Sequence, residues 1–244
     1  QLLTNIAQAF NGFIDSAPKT KPVDTKSSLL FPTPSDSDLP HTTADPKLDL
    51  TPTLEQKIEN YLSTQHKILE QNYHESEILL DEKDIGKLQD VIAAFNHISE
   101  LETDTLPSKK VFPPHRIITN KNLCIAFLSS SKGGKFTSRI QNFNEAVATK
   151  EETRFILWRD VRSDEIKQKT VGSREINKLN NTKNGEFKTF ERDHRITFEL
   201  LYKLISDIYN QDLDINMETE FKSALKIAAE QLKEYWLIQE LLSL

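Results

Sequence analysis

Leu123-Cys124-Ile125-Ala126-Phe127-Leu128 and Arg154-Phe155-Ile156-Leu157-Trp158 are the two stretches that decide the fold. Neither alternates apolar with polar. Unbroken apolar runs of this length suit strands covered on both faces, as in a parallel sheet that carries helices. Between them, Ile140, Phe143, Ala146 and Val147 recur at helical spacing over residues 137–149. Strand, helix and strand make a crossover, and such crossovers are right-handed. Residues 174–184 read as a further short helix and 186–190 as a third strand. The expectation is an α/β fold: a small parallel three-stranded sheet with helices, plus an N-terminal αα-hairpin and a C-terminal helical pair.

The flanks divide by composition. Residues 1–15 place Leu2, Leu3, Ile6, Phe10, Phe13 and Ile14 three and four apart, the pattern of a short amphipathic helix. Residues 16–53 hold seven of the ten prolines among Ser, Thr, Asp and Lys. A segment of that kind buries too little apolar surface to offset its ordering entropy and reads as a disordered linker. Residues 54–106 return to helical periodicity. Thr53 and Gln56 fit a capping box, and Asp84 reads as the cap of a second helix, which makes an acidic helical hairpin. Residues 107–192 form the basic α/β core and 193–244 the C-terminal helices, with Asp193 and Asn216 as expected caps.

Composition bounds the classes. Apolar residues make up 37% of the 244 and charged residues 28%, so part of the chain is expected to stay outside a core. Cys124 is the one cysteine and sits inside the strongest strand, where it reads as a small core residue. With no disulfide to form, a reducing, cytoplasmic setting is expected. No apolar run reaches the length of a membrane span, and no signal peptide opens the chain. The first residue is Gln1, from which a piece of a longer product is expected.

Charge is distributed unevenly. Residues 109–203 carry 20 Lys plus Arg against 11 Asp plus Glu, while the rest of the chain carries 11 against 26. A basic body with acidic arms is the footprint of a site for an anionic partner, or of arms that neutralise the body. Lys132, Lys135 and Arg139 cluster at the first strand-to-helix turn. Arg154, Arg159, Arg162, Arg174 and Lys178 cluster around the second strand and its exit. Carboxyl ends of parallel strands share one edge, so Lys132, Arg159 and Arg162 are expected to converge there and bind nucleic acid or another anion. Phe136 and Phe190 are candidates to stack on bases; Trp158, by strand alternation, reads as core.

Two motifs suggest chemistry. Lys132-Gly133-Gly134, after a strand and before a helix, resembles the deviant phosphate loop of partitioning-type ATPases, with two residues fewer and Phe136 between Lys135 and Thr137. That resemblance implies a nucleotide-binding, ATPase-associated domain. Asp160 followed by Glu186-Phe187-Lys188 resembles the metal site of restriction-endonuclease-type nucleases, in which two carboxylates hold magnesium and the lysine polarises water. Asp160, Glu186 and Lys188 would be catalytic, with Glu145 as a possible fourth member. His66, His74 and His97 have no metal-ligand spacing and no cysteine beside them.

These observations point first to a non-catalytic interaction module of a larger intracellular assembly, needing no cofactor. It would bind protein or itself through helices, and nucleic acid or an acidic partner through its basic α/β edge. The alternatives are a magnesium-dependent nuclease and a nucleotide-binding domain.

Overall fold

The computed structural model describes residues 52–74, 81–105, 116–129 and 133–242. The amphipathic segment 1–15 and nearly all of the proline-rich segment lie outside the described residues, as does Lys132. The described residues belong to one unit, Leu50–Leu244. In chain order they form α1 (Leu54–Asn72), α2 (Asp81–Ser99), β1 (Thr103–Thr105), β2 (Arg116–Ile118), a 3-10 turn (Thr119–Lys121), β3 (Leu123–Phe127), α3 (Gly133–Thr149), β4 (Arg154–Asp160), α4 (Val171–Asn180), β5 (Gly185–Phe190), α5 (Arg192–Tyr209), α6 (Phe221–Gln231) and α7 (Trp236–Leu242).

The strands lie in sequence order, β1-β2-β3-β4-β5. β3, β4 and β5 are parallel, with Leu123 opposite Arg154 and Phe155 opposite Gly185. This is the three-stranded parallel sheet of the sequence reading. β1 and β2 extend it antiparallel beyond β3. That extension carries no apolar pattern in the sequence, because β1 is only Thr103-Asp104-Thr105.

Both faces of β3 and β4 are buried, which is why their sequences do not alternate, while the edge strand β5 keeps Glu186, Lys188 and Thr189 at least partly exposed. Leu123, Ile125, Phe127, Ile156, Trp158 and Phe190 face the larger core, shared with α1, α2, α5, α6 and α7. Cys124, Ala126, Leu128, Phe155 and Leu157 face a smaller core under α3 and α4. Phe127 meets Phe190 and Phe198 at 5.7 Å between ring centres. On the opposite face Phe143 stands edge-on to Phe155 at 5.6 Å.

Several element ends differ from expectation. The capping box stands: Gln56 N–H donates to Thr53 Oγ1 (3.2 Å) and Thr53 N–H to Gln56 Oε1 (3.1 Å). α2 already includes Asp81, so Asp84 is not its cap but lies in its first turn, and is buried. α3 takes in Gly133 and Gly134, which shortens the loop that was compared with a phosphate loop. α4 starts at Val171, where Thr170 Oγ1 accepts from Ser173 N–H at 3.2 Å. Glu191, not Asp193, is the residue before α5. Asn216 caps a turn rather than a helix, accepting from Glu218 and Thr219 N–H. The expected last helix is broken into α6 and α7, where Tyr235 turns inward and donates its hydroxyl to His194 O at 3.1 Å.

Phe143 fills the smaller core without solvent contact. Replacing it with Ala is expected to lower unfolding free energy by about 3–5 kcal/mol, read as a lower urea midpoint at unchanged denaturant slope.

Candidate functional site

β3 and β4 end side by side, and the charged groups of interest gather at their carboxyl ends. β3 runs out through Leu128 and Ser129. β4 runs out through Arg159, Asp160 and Arg162. Side-chain alternation sends Arg159 to the face under α3 and Asp160 to the face under the helical layer.

Arg159 is buried. Its guanidinium donates to Leu128 O (2.9 Å) and Asp164 O (2.8 Å) and lies 5.1 Å from the centre of the Phe136 ring. Burial pulls its pKa below the ordinary arginine value, and the strongest opposing influence is Asp81. Asp81, 1% exposed, comes from the first turn of α2. Its Oδ1 accepts the backbone N–H of Ser129 and its Oδ2 is ion-paired with Arg139 of α3. Glu82 touches the same guanidinium at 3.6 Å. Burial pushes the Asp81 carboxyl above its usual value, against the pull of Ser129 and Arg139.

A second knot forms on the helical side. Asp84, also 1% exposed, is bound by both terminal nitrogens of Arg195 at 2.9 Å. Arg195, on the buried face of α5, also pairs with Glu199 (2.8 Å) and lies 4.0 Å from Asp160. Burial raises the Asp84 pKa despite Arg195. Asp160 accepts from Arg162 three times, at the backbone N–H (2.9 Å), Nε (3.0 Å) and Nη2 (2.8 Å). Burial acts to raise its pKa, but the Arg162 bonds outweigh that and hold the carboxyl below its usual range. Arg162 also donates to Tyr73 O at 2.9 Å and lies 4.5 Å from that ring's centre. One charged network thus joins the end of α1, the start of α2, both strand exits, α3 and α5.

Of the sequence candidates, Arg159 and Arg162 do come to one edge, with Arg139 beside them, but all three are engaged by the chain's own carboxylates and carbonyls. In this fold those guanidiniums are turned to groups of the chain itself. Lys135, Arg174 and Lys178 are exposed. Phe136 and Phe190 are buried and cannot stack on bases as they stand; Trp158 is core, as alternation suggested.

The three nuclease candidates do not converge. Lys188 Nζ lies 3.0 Å from Glu186, which also takes Arg154 at 3.4 Å. Asp160 pairs in register with Phe190, four residues beyond Glu186, or about 13 Å along the strand. Glu145 is exposed on α3, over the opposite face of the sheet. Among the described residues no three His, Cys, Asp or Glu side chains are placed to hold a metal. His66 pairs with Glu70 at 3.5 Å, while His74 and His97 stand edge-on to Tyr73 and Phe221.

Sequence reasoning missed Asp81, Asp84 and Arg195. The signal was present: Asp81, Glu82 and Asp84 open an apolar helix, and Arg195 stands three positions before Phe198 on the buried face of α5. No family model, no curated protein and no solved structure matches the chain.

Removing one partner of a buried ion pair strands the other. Arg195→Met is expected to cost about 3–5 kcal/mol in urea unfolding at pH 7, and adding Asp84→Leu to recover most of it. The depressed Asp160 carboxyl adds stability above the ordinary aspartate pKa of about 3.9, lost as pH falls through its lower folded value. The stability gap between the native chain and Arg162→Met should therefore be full at pH 5–7 and narrow below about pH 4. A gap that widens on acidification contradicts this assignment.

Proposed function

We propose that the chain is a non-catalytic interaction module that belongs to an intracellular assembly and meets an anionic partner through the α3–α4 side of its sheet. The observation that supports this is the division of its basic residues into two sets. Arg139, Arg159, Arg162 and Arg195 are spent inside the fold, where they tie helices to the sheet. Lys135, Lys167, Lys169, Arg174, Lys178 and Lys183 are exposed.

α4 presents the clearest surface. Val171, Arg174, Lys178 and Asn181 follow one another at spacings of three and four along its exposed side. Glu175, the one carboxylate on α4, is turned away and engaged by Asn144 Nδ2 at 2.8 Å. Lysines and arginines without fixed partners keep their charge available to phosphates or to acidic side chains, whereas those in buried pairs do not. Protein contacts belong to the helical layer in this reading, where Ile68 on α1 and Tyr209 at the end of α5 are exposed apolar groups. No helix among the described residues is long and apolar enough to cross a membrane.

The test is fluorescence anisotropy with labelled single-stranded DNA, single-stranded RNA and polyglutamate. Affinity for the true anion class should fall about tenfold or more between 50 and 200 mM salt. Arg174→Glu with Lys178→Glu should abolish binding while leaving far-UV circular dichroism unchanged. Binding that ignores salt, or that survives the double charge reversal, contradicts the reading.

A further inference from the structure

The first turn of α2 enters the α/β layer at the carboxyl ends of β3 and β4, the edge at which open α/β sheets hold ligands. What it inserts there is a carboxylate. Asp81 Oδ1 takes the backbone N–H of Ser129, the second residue beyond β3. Its Oδ2 takes a terminal guanidinium nitrogen of Arg139. Arg159, held by its bonds to Leu128 O and Asp164 O with its guanidinium 5.1 Å from the Phe136 ring centre, adds a second positive charge on the same side. A backbone amide, one terminal guanidinium nitrogen of Arg139, whose other terminal nitrogen lies 3.6 Å from Glu82, and the nearby charge of Arg159 are groups that favour a tetrahedral oxyanion.

The donors belong to the α/β layer and the acceptor does not. Ser129 lies just beyond β3, and Arg139 and Arg159 come from α3 and β4. Asp81 comes from a separate helix 48 positions before Ser129, and is nearly wholly buried among them. A helix whose only task was to cover apolar surface would place an apolar residue at this point. Instead a charged side chain is desolvated, at a cost that its partners must offset. The cradle therefore selects for negative charge, and the carboxylate fills it.

We propose that Ser129 N–H, Arg139 and Arg159 form an oxyanion site for a phosphate group, and that Asp81 is its internal ligand. A phosphate oxygen would take the place of each Asp81 oxygen, and α2 would lose its carboxylate anchor to the α/β layer while Asp84 keeps its bond to Arg195 of α5. This site is separate from the α4 surface, and neither reading depends on the other, since Arg174 and Lys178 lie outside the donor set.

The experiment is isothermal titration of the full chain with inorganic phosphate and, separately, with ADP, in chloride buffer at constant ionic strength. Three proteins are compared: the native chain, Asp81→Ala, and Asp81→Ala combined with Arg139→Gln. Asp81→Ala should bind phosphate at least tenfold more tightly than either of the others, and millimolar phosphate should raise its melting temperature more than theirs. Tighter binding of ADP than of phosphate assigns the group to a nucleotide; equal or weaker binding assigns it to free phosphate. Where Asp81→Ala does not fold without phosphate, its refolding on addition of phosphate, and not of chloride, supports the site. A folded Asp81→Ala that binds phosphate no better than the double variant overturns the proposal, as does an unfolded one that phosphate does not rescue. Asp81→Asn, which keeps the acceptor for Ser129 but removes the charge, should bind phosphate more weakly than Asp81→Ala, because its amide still fills the cradle; equal affinity in the two variants also contradicts it.

Discussion

Three buried aspartates, Asp81, Asp84 and Asp160, are held by Arg139 of α3, Arg195 of α5 and Arg162 just beyond β4, and the relation of the helices to the sheet depends on the first two pairs and on the bond from Arg162 to Tyr73 O. Apolar packing is plentiful on both faces, but it is non-directional. Helices of similar apolar width can slide or rotate on a sheet at little cost. A bidentate contact such as Asp84 with Arg195 tolerates neither, because a shift of one turn leaves two buried charges unpaired. The network therefore fixes where the first turn of α2 sits against β3, α3 and α5, and apolar burial then supplies the bulk of the stability.

That arrangement gives the uneven charge of the chain a structural meaning. An acidic arm and a basic body are complementary, and the arm's most deeply placed carboxylates enter the body at the carboxyl edge of the sheet. A carboxyl edge lined by free arginines would invite any polyanion. An edge closed by internal carboxylates is selective, since a competitor must displace an intramolecular ligand already held at high effective concentration. Among the described residues the lysines and arginines on and around α4 are exposed, so the two basic sets differ in their surroundings.

Much of the fold was legible in the sequence and most of the site was not. The parallel strands could be read from 123–128 and 154–158 because burial on both faces leaves an unbroken apolar run. α1 could be read from its capping box. β1 and β2 could not, since strands of three residues lack the length for any period to register. Asp84 was read as a helix cap because an acidic residue ahead of an apolar helix satisfies that pattern whether it faces water or the interior. The charge separation was visible by counting, but its destination was not. Asp84 and Arg195 lie 111 positions apart, and no local pattern links them. For the same reason Arg159 and Arg162 looked available: a sequence shows a charge but not its partner.

The most direct measurement of this account is a double-mutant cycle between Asp81 and Arg139, which join α2 to α3. Unfolding free energies would be determined in urea for the native chain, Asp81→Asn, Arg139→Gln and the double variant, at low salt and at 1 M sodium chloride. A buried pair that positions the helix predicts a coupling energy of about 1–3 kcal/mol that changes little with salt. A coupling near zero, or one that disappears at high salt, would mean the pair is a solvated surface contact and that packing alone places α2.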